Sequence, residues 1–269
     1  MGLLGMLALA SLARAGGSAA CFASYVPKVG QPGKDVMWIP TPLPLVSRML
    51  ALAKVKPSDV VYDLGSGDGR IVIAAARLGA QAVGIEYNPK LVALSRCLIS
   101  AAGFASRARI VQGDLFQSNF DDATVVTLFL LPSLDVRLRP RLLALKPGTR
   151  IVSDSYLMGD WPPDERVITP DGMAYLWVVP AHVNGSWTFR SRHGRAHFDV
   201  TLVQDYQSVH GILASGALLT DPQLEGARLE FSFFDGGKTA HVTGVVADGR
   251  IDAKVSVGGR VSSYVGTRS

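Results

Sequence analysis

The chain has 269 residues, 48% of them hydrophobic, and a formal net charge of +5 with an isoelectric point near 9.3. Such a share of apolar residues excludes a disordered chain, and the length calls for one large or two unequal domains with a full core. The basic residues are scattered, with short runs only at Arg137, Arg139, Arg141 and at Arg190, Arg192, Arg195; no aromatic residues interleave with them, so they read as a solvated surface and no nucleic-acid partner is expected.

The first 26 residues differ from the rest. "LLGMLALASLA" is an apolar run of signal-peptide length, too short for a stable bilayer anchor, and "ARA" at 13–15 has the small-x-small form of a cleavage site before Gly16. "SAAC", ending at Cys21, is a poor lipoprotein box because Ser18 stands where a leucine is expected. No Lys or Arg precedes the apolar run, which leaves a simple hydrophobic tail as the alternative. The expectation is a targeting segment over 1–26 and an exported or N-terminally membrane-associated chain, with a cytoplasmic one as the alternative. The two cysteines, Cys21 and Cys97, are too few for a disulfide framework and match no zinc spacing; Cys97, inside a helical pattern, reads as a small buried apolar residue.

From Tyr25 to about Pro44, Pro and Gly predict an extended lead-in ending in "WIPTPLP". Val46, Met49, Leu50 and Ala53 then recur at helical spacing until Pro57. A regular alternation follows. "DVVYDL" (59–64) is a strand; Ile71, Ala74, Ala75 and Leu78 mark a helical face ending at Gly79; "QAVGIE" (81–86) is a second strand; Leu91, Leu94, Leu98 and Ala101 stripe a second helix stopped by Gly103. "RARIVQG", "ATVVTLFLL" (123–131) and "GTRIVSDSY" (148–156) give three more strands, and Pro140 splits the intervening segment into two helical pieces. "ERVITPDGMAYLWVVPA" reads as a hairpin around "PDG". Strand and helix in this rhythm predict an α/β fold with a doubly wound, mainly parallel sheet.

From about Gly185 onward no helix pattern remains. Trp187 and Phe189, then Phe198, Val200 and Leu202, then Leu229, Phe231 and Phe233 alternate with polar residues, and "DGG", "ADGR" and "GGR" supply turns. The prediction is a domain over 27–184 followed by a small all-β meander over 185–269, barrel or sandwich, of unknown role.

The chemistry sits in "VYDLGSGDGR" (61–70), a loop from a strand end to a helix start, where open α/β sheets bind ligands. The dinucleotide fingerprint fails, because Arg70 stands where its third glycine should fall. Two acids in the loop, Asp63 and Asp68, repel a pyrophosphate, and Asp68 reads as the helix cap. An ammonium beside a sulfonium has the opposite preference, and S-adenosylmethionine is such a ligand. Glu86, closing the second strand, suits both ribose hydroxyls, and Asp114, after the third, suits the exocyclic amine of adenine. Acids at three successive strand ends carry this reading.

"VYDLGSGDGR", "VGIEYNP", "VQGDLF" and "LLPS…LKPGTRIVSDSY" resemble a class I S-adenosylmethionine-dependent methyltransferase over about 35–180, closest to the small protein-lysine methyltransferases that act on mitochondrial membrane proteins and their bacterial relatives. The resemblance implies a seven-stranded Rossmann-like sheet with an antiparallel final hairpin. It implies that Asp63, Gly65, Ser66, Gly67 and Gly69 line the methionine part, Glu86 the ribose, and Asp114 with Leu115 the adenine; Leu64 and Tyr87 are further cofactor-binding candidates. "MWIPTP" resembles a lead-in folded over the cofactor. "LLPS" stands where amide and adenine methyltransferases carry an Asn-Pro-Pro-Tyr signature, which argues against those acceptors.

The expected function is protein-lysine N-methylation by in-line displacement, with Ser133, Asp154 and Tyr156 on the rim as catalytic candidates and no metal required; the five histidines read as forming no metal site, with His193 and His197 solvated. The alternatives are a small-molecule or lipid methyltransferase, and an exported β-domain binding protein carrying an inactive methyltransferase fold.

Overall fold

A computed structural model describes residues 18–269. The targeting segment expected over 1–26 lies outside the described residues up to position 17, and among the described residues no helix is long and apolar enough to cross a membrane. The chain divides into two compact units. The first runs to Leu145 and takes in Thr149–Trp177; the second comprises Lys146–Gly148 and Val178–Ser269.

The first unit begins with a two-stranded hairpin, β1 (Gln31–Pro32) against β2 (Met37–Trp38), inside the segment predicted as an extended lead-in. Next come α1 (Leu43–Leu52), β3 (Val60–Leu64), α2 (Arg70–Arg77), β4 (Gln81–Glu86), α3 (Pro89–Ala101), β5 (Ala108–Gln112), β6 (Val125–Leu128), α4 (Pro132–Leu143), β7 (Arg150–Asp154), β8 (Glu165–Thr169) and β9 (Gly172–Val178). The seven strands from β3 form one sheet in the order β5-β4-β3-β6-β7-β9-β8. β3 pairs in parallel with β4 and β6, β4 with β5 and β6 with β7, while β8 and β9 form the antiparallel hairpin around "PDG". This is the doubly wound sheet that the alternation predicts. Its order reverses between β3 and β6, so the crevice for a ligand opens beside the C-terminal end of β3.

The helical faces depart from the sequence reading. α2 buries Ile71, Val72, Ala75 and Ala76, and Leu78 falls at its cap, 47% exposed. α3 buries Leu91, Val92, Leu94, Ser95 and Ile99, leaving Leu98 and Ala101 half-buried. Close packing turns these faces: a Cβ on Gly69 would lie 3.0 Å from that of Ser95, so α3 presents a small residue where the start of α2 comes near. The segment predicted as two helical pieces is one helix, α4, with Pro140 inside it. Pro140 is exposed and in the last turn, so the hydrogen bond it forfeits lies near an end that is already short of partners.

Two further expectations are corrected. Cys97 is exposed on α3 and forms a disulfide with Cys21, 76 residues earlier, so it is not a buried apolar residue. The same bond occupies the sulfur that a lipoprotein box would modify. The arginines of α4 are structural ties more than solvated charge. Arg137 lies over the Phe116 ring at 3.8 Å, and Arg141 lies over Phe120 at 4.4 Å while donating to the carbonyls of Leu115, Phe116 and Ser118. Arg139 donates to the Met158 carbonyl and pairs with Asp160.

The second unit holds β10 (Gly185–Ser191), β11 (His197–Asp205), β12 (Ser208–Leu213), β13 (Thr220–Glu225), β14 (Arg228–Asp235), β15 (Lys238–Ala247), β16 (Arg250–Val257) and β17 (Arg260–Arg268). They form one antiparallel sheet in the order β12-β11-β10-β17-β16-β15-β14-β13. Its two ends approach each other, because Ile212 bridges Leu218 and the Leu219 amide donates to the Gly211 carbonyl, so the sheet is a nearly closed barrel. Inside it are the residues whose alternation the sequence displays: Trp187, Phe189, Val200, Leu202, Leu229, Phe231 and Phe233 are buried, and Phe198 stacks on Phe189 at 4.8 Å. The buried Trp187 indole donates to the Val183 carbonyl, which removes the cost of enclosing its N–H.

Candidate active site

The loop between β3 and α2 is built from residues that need glycine. Gly65, Gly67 and Gly69 all have positive φ, at 83°, 53° and 78°. Gly67 has a second reason: a Cβ there would lie 2.6 Å from the Trp38 indole nitrogen, so the β2 tryptophan packs directly on the loop backbone. Gly69, not Asp68, takes the cap position of α2 in left-handed conformation. Asp68 instead accepts the Arg70 amide at 3.2 Å and pairs with its guanidinium at 2.7 Å, and Arg70 donates onward to the Thr41 carbonyl.

Asp63 and Glu86 hold their positions by hydrogen bonds to neighbouring elements. Thr127 of β6 donates to Asp63 Oδ1 at 2.7 Å, and the Glu86 carboxylate accepts the amides of Gly67 at 2.9 Å and Asn88 at 2.8 Å. Both acids are buried. Burial pushes the Asp63 carboxyl up to about 7; the Thr127 bond pulls it down, and the charges of Asp68 and Glu86 raise it further. Burial also raises Glu86, offset by the amides that it accepts. A site that crowds carboxylates out of water in this way favours a cation.

Three clefts meet here. One is lined by Asp63, Gly65, Ser66, Gly67 and Asp68 with Trp38, Ile39, Thr41 and Phe129. A second is lined by Gly65, Glu86, Tyr87, Asp114 and Leu115 with the hairpin residues 31–39, Phe129 and Leu130. The third lies farther out, between the hairpin and Phe129, Leu130, Leu131 and Tyr156. Among the described residues, Ser66 Oγ is buried without a hydrogen-bond partner and no cation pairs with Asp63, so the first cleft offers an acceptor set suited to an ammonium. The residues present therefore fit S-adenosylmethionine.

Not every predicted residue lies in these clefts. Leu64 is buried behind the loop, and Gly69 serves the start of α2. Ser133 is exposed in the first turn of α4 and lines none of the three. Asp154 is buried and committed, accepting Thr41 Oγ1 at 2.9 Å and Ser155 Oγ at 2.7 Å; burial raises its carboxyl and the two hydroxyls offset the rise. Tyr156 lines the outer cleft. Asp114 is engaged too: Phe116 donates its amide to one oxygen, and Lys34 donates to the other at 2.6 Å, which holds the Asp114 carboxyl below the usual range.

The sequence reading missed Lys34, Trp38, Ile39 and Phe129. "MWIPTP" pointed at the lead-in as a cover but not at these contacts, and Phe129 lay hidden in an apolar strand pattern.

Comparison with known proteins agrees with this geometry. The model of the ANTKMT methyltransferase domain family matches residues 63–165. A protein-lysine N-methyltransferase of Saccharolobus islandicus is 42% identical over 166 residues, 59% of this chain and 99% of that protein. The adenine nucleotide translocase lysine N-methyltransferase of Mus musculus is 36% identical over 142 residues, 52% of this chain, and the match spans 61% of that relative. A crystal structure described as an RNA methyltransferase from Salinibacter ruber, in complex with S-adenosyl-L-homocysteine, is 51% identical and superposes with a TM-score of 0.53, covering 54% of this chain and 96% of that one.

Proposed function

The chain belongs to the class I S-adenosylmethionine-dependent methyltransferases, in the family of the ANTKMT methyltransferase domain, and from that premise we propose that its acceptor is the side-chain amine of a lysine in a protein. The observation that carries this reading is the 42% identity to an archaeal protein-lysine N-methyltransferase over 99% of that protein's length.

In this reading Asp63 holds the cofactor's ammonium, Glu86 accepts its ribose hydroxyls, and the hairpin carrying Lys34 and Trp38 covers it from the other side. The lysine Nζ lone pair forms the new N–C bond as the methyl–sulfur bond breaks, and sulfur keeps the electron pair as a neutral thioether. The amine must shed its proton first. With the cofactor bound, the positive sulfonium beside the entering amine disfavours its protonated form, and the proton leaves to solvent at the cleft mouth, so no dedicated base is required. Alignment of amine, methyl and sulfur contributes on the order of 7 to 11 kcal/mol.

The test is transfer of tritiated methyl from S-adenosylmethionine into a cell lysate separated into protein, RNA and small-molecule fractions, with hydrolysis of the labelled protein to methyllysine. Label confined to RNA or to small molecules rejects lysine as the acceptor.

The same reading extends to location. Disulfides such as Cys21–Cys97 persist in oxidising compartments, and in the cytosol of some hyperthermophiles, which supports an exported chain over a cytoplasmic one. Fractionation of cells expressing a tagged full-length chain tests it, and recovery of an uncleaved, reduced cytosolic form rejects it.

A further inference from the structure

The path by which the acceptor reaches the methyl group is drawn by where the three clefts join. Ile39 and Phe129 border all three: the one with Asp63 and Ser66, the one with Glu86 and Asp114, and the outer one. A cofactor that spans the first two places its sulfonium between its amino acid and its adenosine, which is beside Ile39 and Phe129. The outer cleft is therefore the approach to the methyl group. Tyr156, absent from the first two, stacks on Phe129 there with ring centroids 6.3 Å apart and planes 23° apart. Asp154, the nearest carboxylate in sequence, is occupied by Thr41 and Ser155 and does not line this cleft. Met37, Ile39, Leu130, Leu131, Phe129 and Tyr156 give this cleft apolar and aromatic walls, and the hairpin turn adds one cation and one carboxylate to its lining, Lys34 and Asp35.

We propose that the Phe129–Tyr156 pair is the acceptor subsite, and that its ring faces hold the alkylammonium of lysine and of its methylated products by cation–π contact. The inference rests on lysine as the acceptor and adds where the side chain lies. The cleft suits a butyl stem along Met37, Ile39 and Leu131 and a compact cation against the rings. Methylation leaves the nitrogen able to carry its charge and enlarges the apolar surface against the rings, so the subsite retains the mono- and dimethylated products for further rounds, which end when the trimethylated nitrogen has no lone pair left.

The experiment titrates the chain, saturated with S-adenosylhomocysteine, with N-acetyl-trimethyllysine methylamide and with the neutral isostere in which carbon replaces the ammonium nitrogen, followed by calorimetry or protein NMR. The cation is expected to bind roughly 3- to 30-fold more tightly than the isostere. Tyr156→Leu should erase most of that preference, and Tyr156→Phe should keep it because the ring face remains. Equal affinity for the two ligands, no binding of either at millimolar concentration, or an undiminished preference in Tyr156→Leu would overturn the subsite. The wild-type comparison stands even where a variant fails to fold. Protein-lysine labelling by the wild type together with equal binding of the two ligands sinks only the subsite, whereas label outside protein sinks the lysine reading itself.

Discussion

Lys34 reaches from the turn of the β1–β2 hairpin to donate a hydrogen bond to Asp114 at 2.6 Å, closing one side of the cleft that Glu86 and Leu115 line. The same ammonium lies 4.9 Å from the centre of the exposed Tyr87 ring. The ends of β4 and β5 thus share their rim with a residue from a different part of the chain, and the latch is polar and accessible. Lys34→Met should weaken S-adenosylmethionine binding by roughly two- to fivefold, chiefly through faster dissociation, and the wild-type advantage should shrink at high salt, as expected of an exposed pair. Stopped-flow dissociation at two ionic strengths reads this out. An unchanged off-rate means that the pair does not hold the cofactor in.

Asp63 sets a pH limb on cofactor binding. In the free protein its carboxyl stays protonated up to about pH 7, so the proton stabilises the fold at low pH and that contribution is lost as pH rises through 7. A cationic ligand prefers the carboxylate and must displace the proton below that point. Affinity should fall by up to about tenfold per pH unit below 7, and fall again above about 8 as the ligand's α-amino group loses its charge. Calorimetry from about pH 6 to about 9 should show the resulting bell. Asp63→Asn should bind more weakly and lose the acid limb; a flat wild-type profile would remove Asp63 from the ammonium contact.

Asp135 is a carboxyl fully buried in α4; neither oxygen has a hydrogen-bond partner among the described residues, and burial raises it to about 8 against an ordinary 3.8. Its proton therefore favours the folded chain fully below about pH 4, and that contribution is lost as pH rises through 8. Asp135→Leu should stabilise the chain by about 1–3 kcal/mol at the upper end of this window and by little at the lower end. Urea unfolding at both ends decides it, and a loss of stability equal at the two pH values would show that the side chain has a partner.

The disulfide should matter beyond its own loop. Closing 76 residues removes unfolded-state entropy worth about 4.5 kcal/mol in the chain-entropy model, so reduction or Cys97→Ser should lower the melting temperature by roughly 9 to 18 °C. The segment from residue 22 to the hairpin should become the first site of proteolysis, and cofactor affinity should fall with it, because Trp38 and Lys34 lie downstream of Cys21. Identical melting curves for oxidised and reduced protein would contradict this.

The parts of this fold that were legible in the sequence are those encoded locally. Runs such as "VVYDL" and "QAVGIE" carry their burial in nearly every residue, "PDG" marks its hairpin, and the alternation from Trp187 to Phe233 marks the inside of the barrel. Glycines with positive φ and acids at strand ends likewise announce the loop. What stayed hidden depends on contacts between distant residues. Cys21 and Cys97 are ordinary cysteines until α3 brings them together, and Lys34 is one lysine in a Gly- and Pro-rich stretch until the hairpin turns it toward Asp114. The helical stripes were misplaced by about one position because packing of α3 against Gly69 selects Ser95, a residue that hydrophobic spacing passes over.

The barrel has a folding order written into its strand order. β10–β12 form one meander and β13–β17 another, each joined by turns between consecutive strands, and the two meet through β10 against β17, the first and last strands of the unit. The pairing of Trp187 with Arg268 therefore waits until every strand between them has been made. Until β17 emerges from the ribosome, the two meanders carry unpaired edges and the aromatic interior has no seal. A nascent chain stalled before Arg260 would present those edges to its neighbours, which makes the last strand the protection of this unit against aggregation.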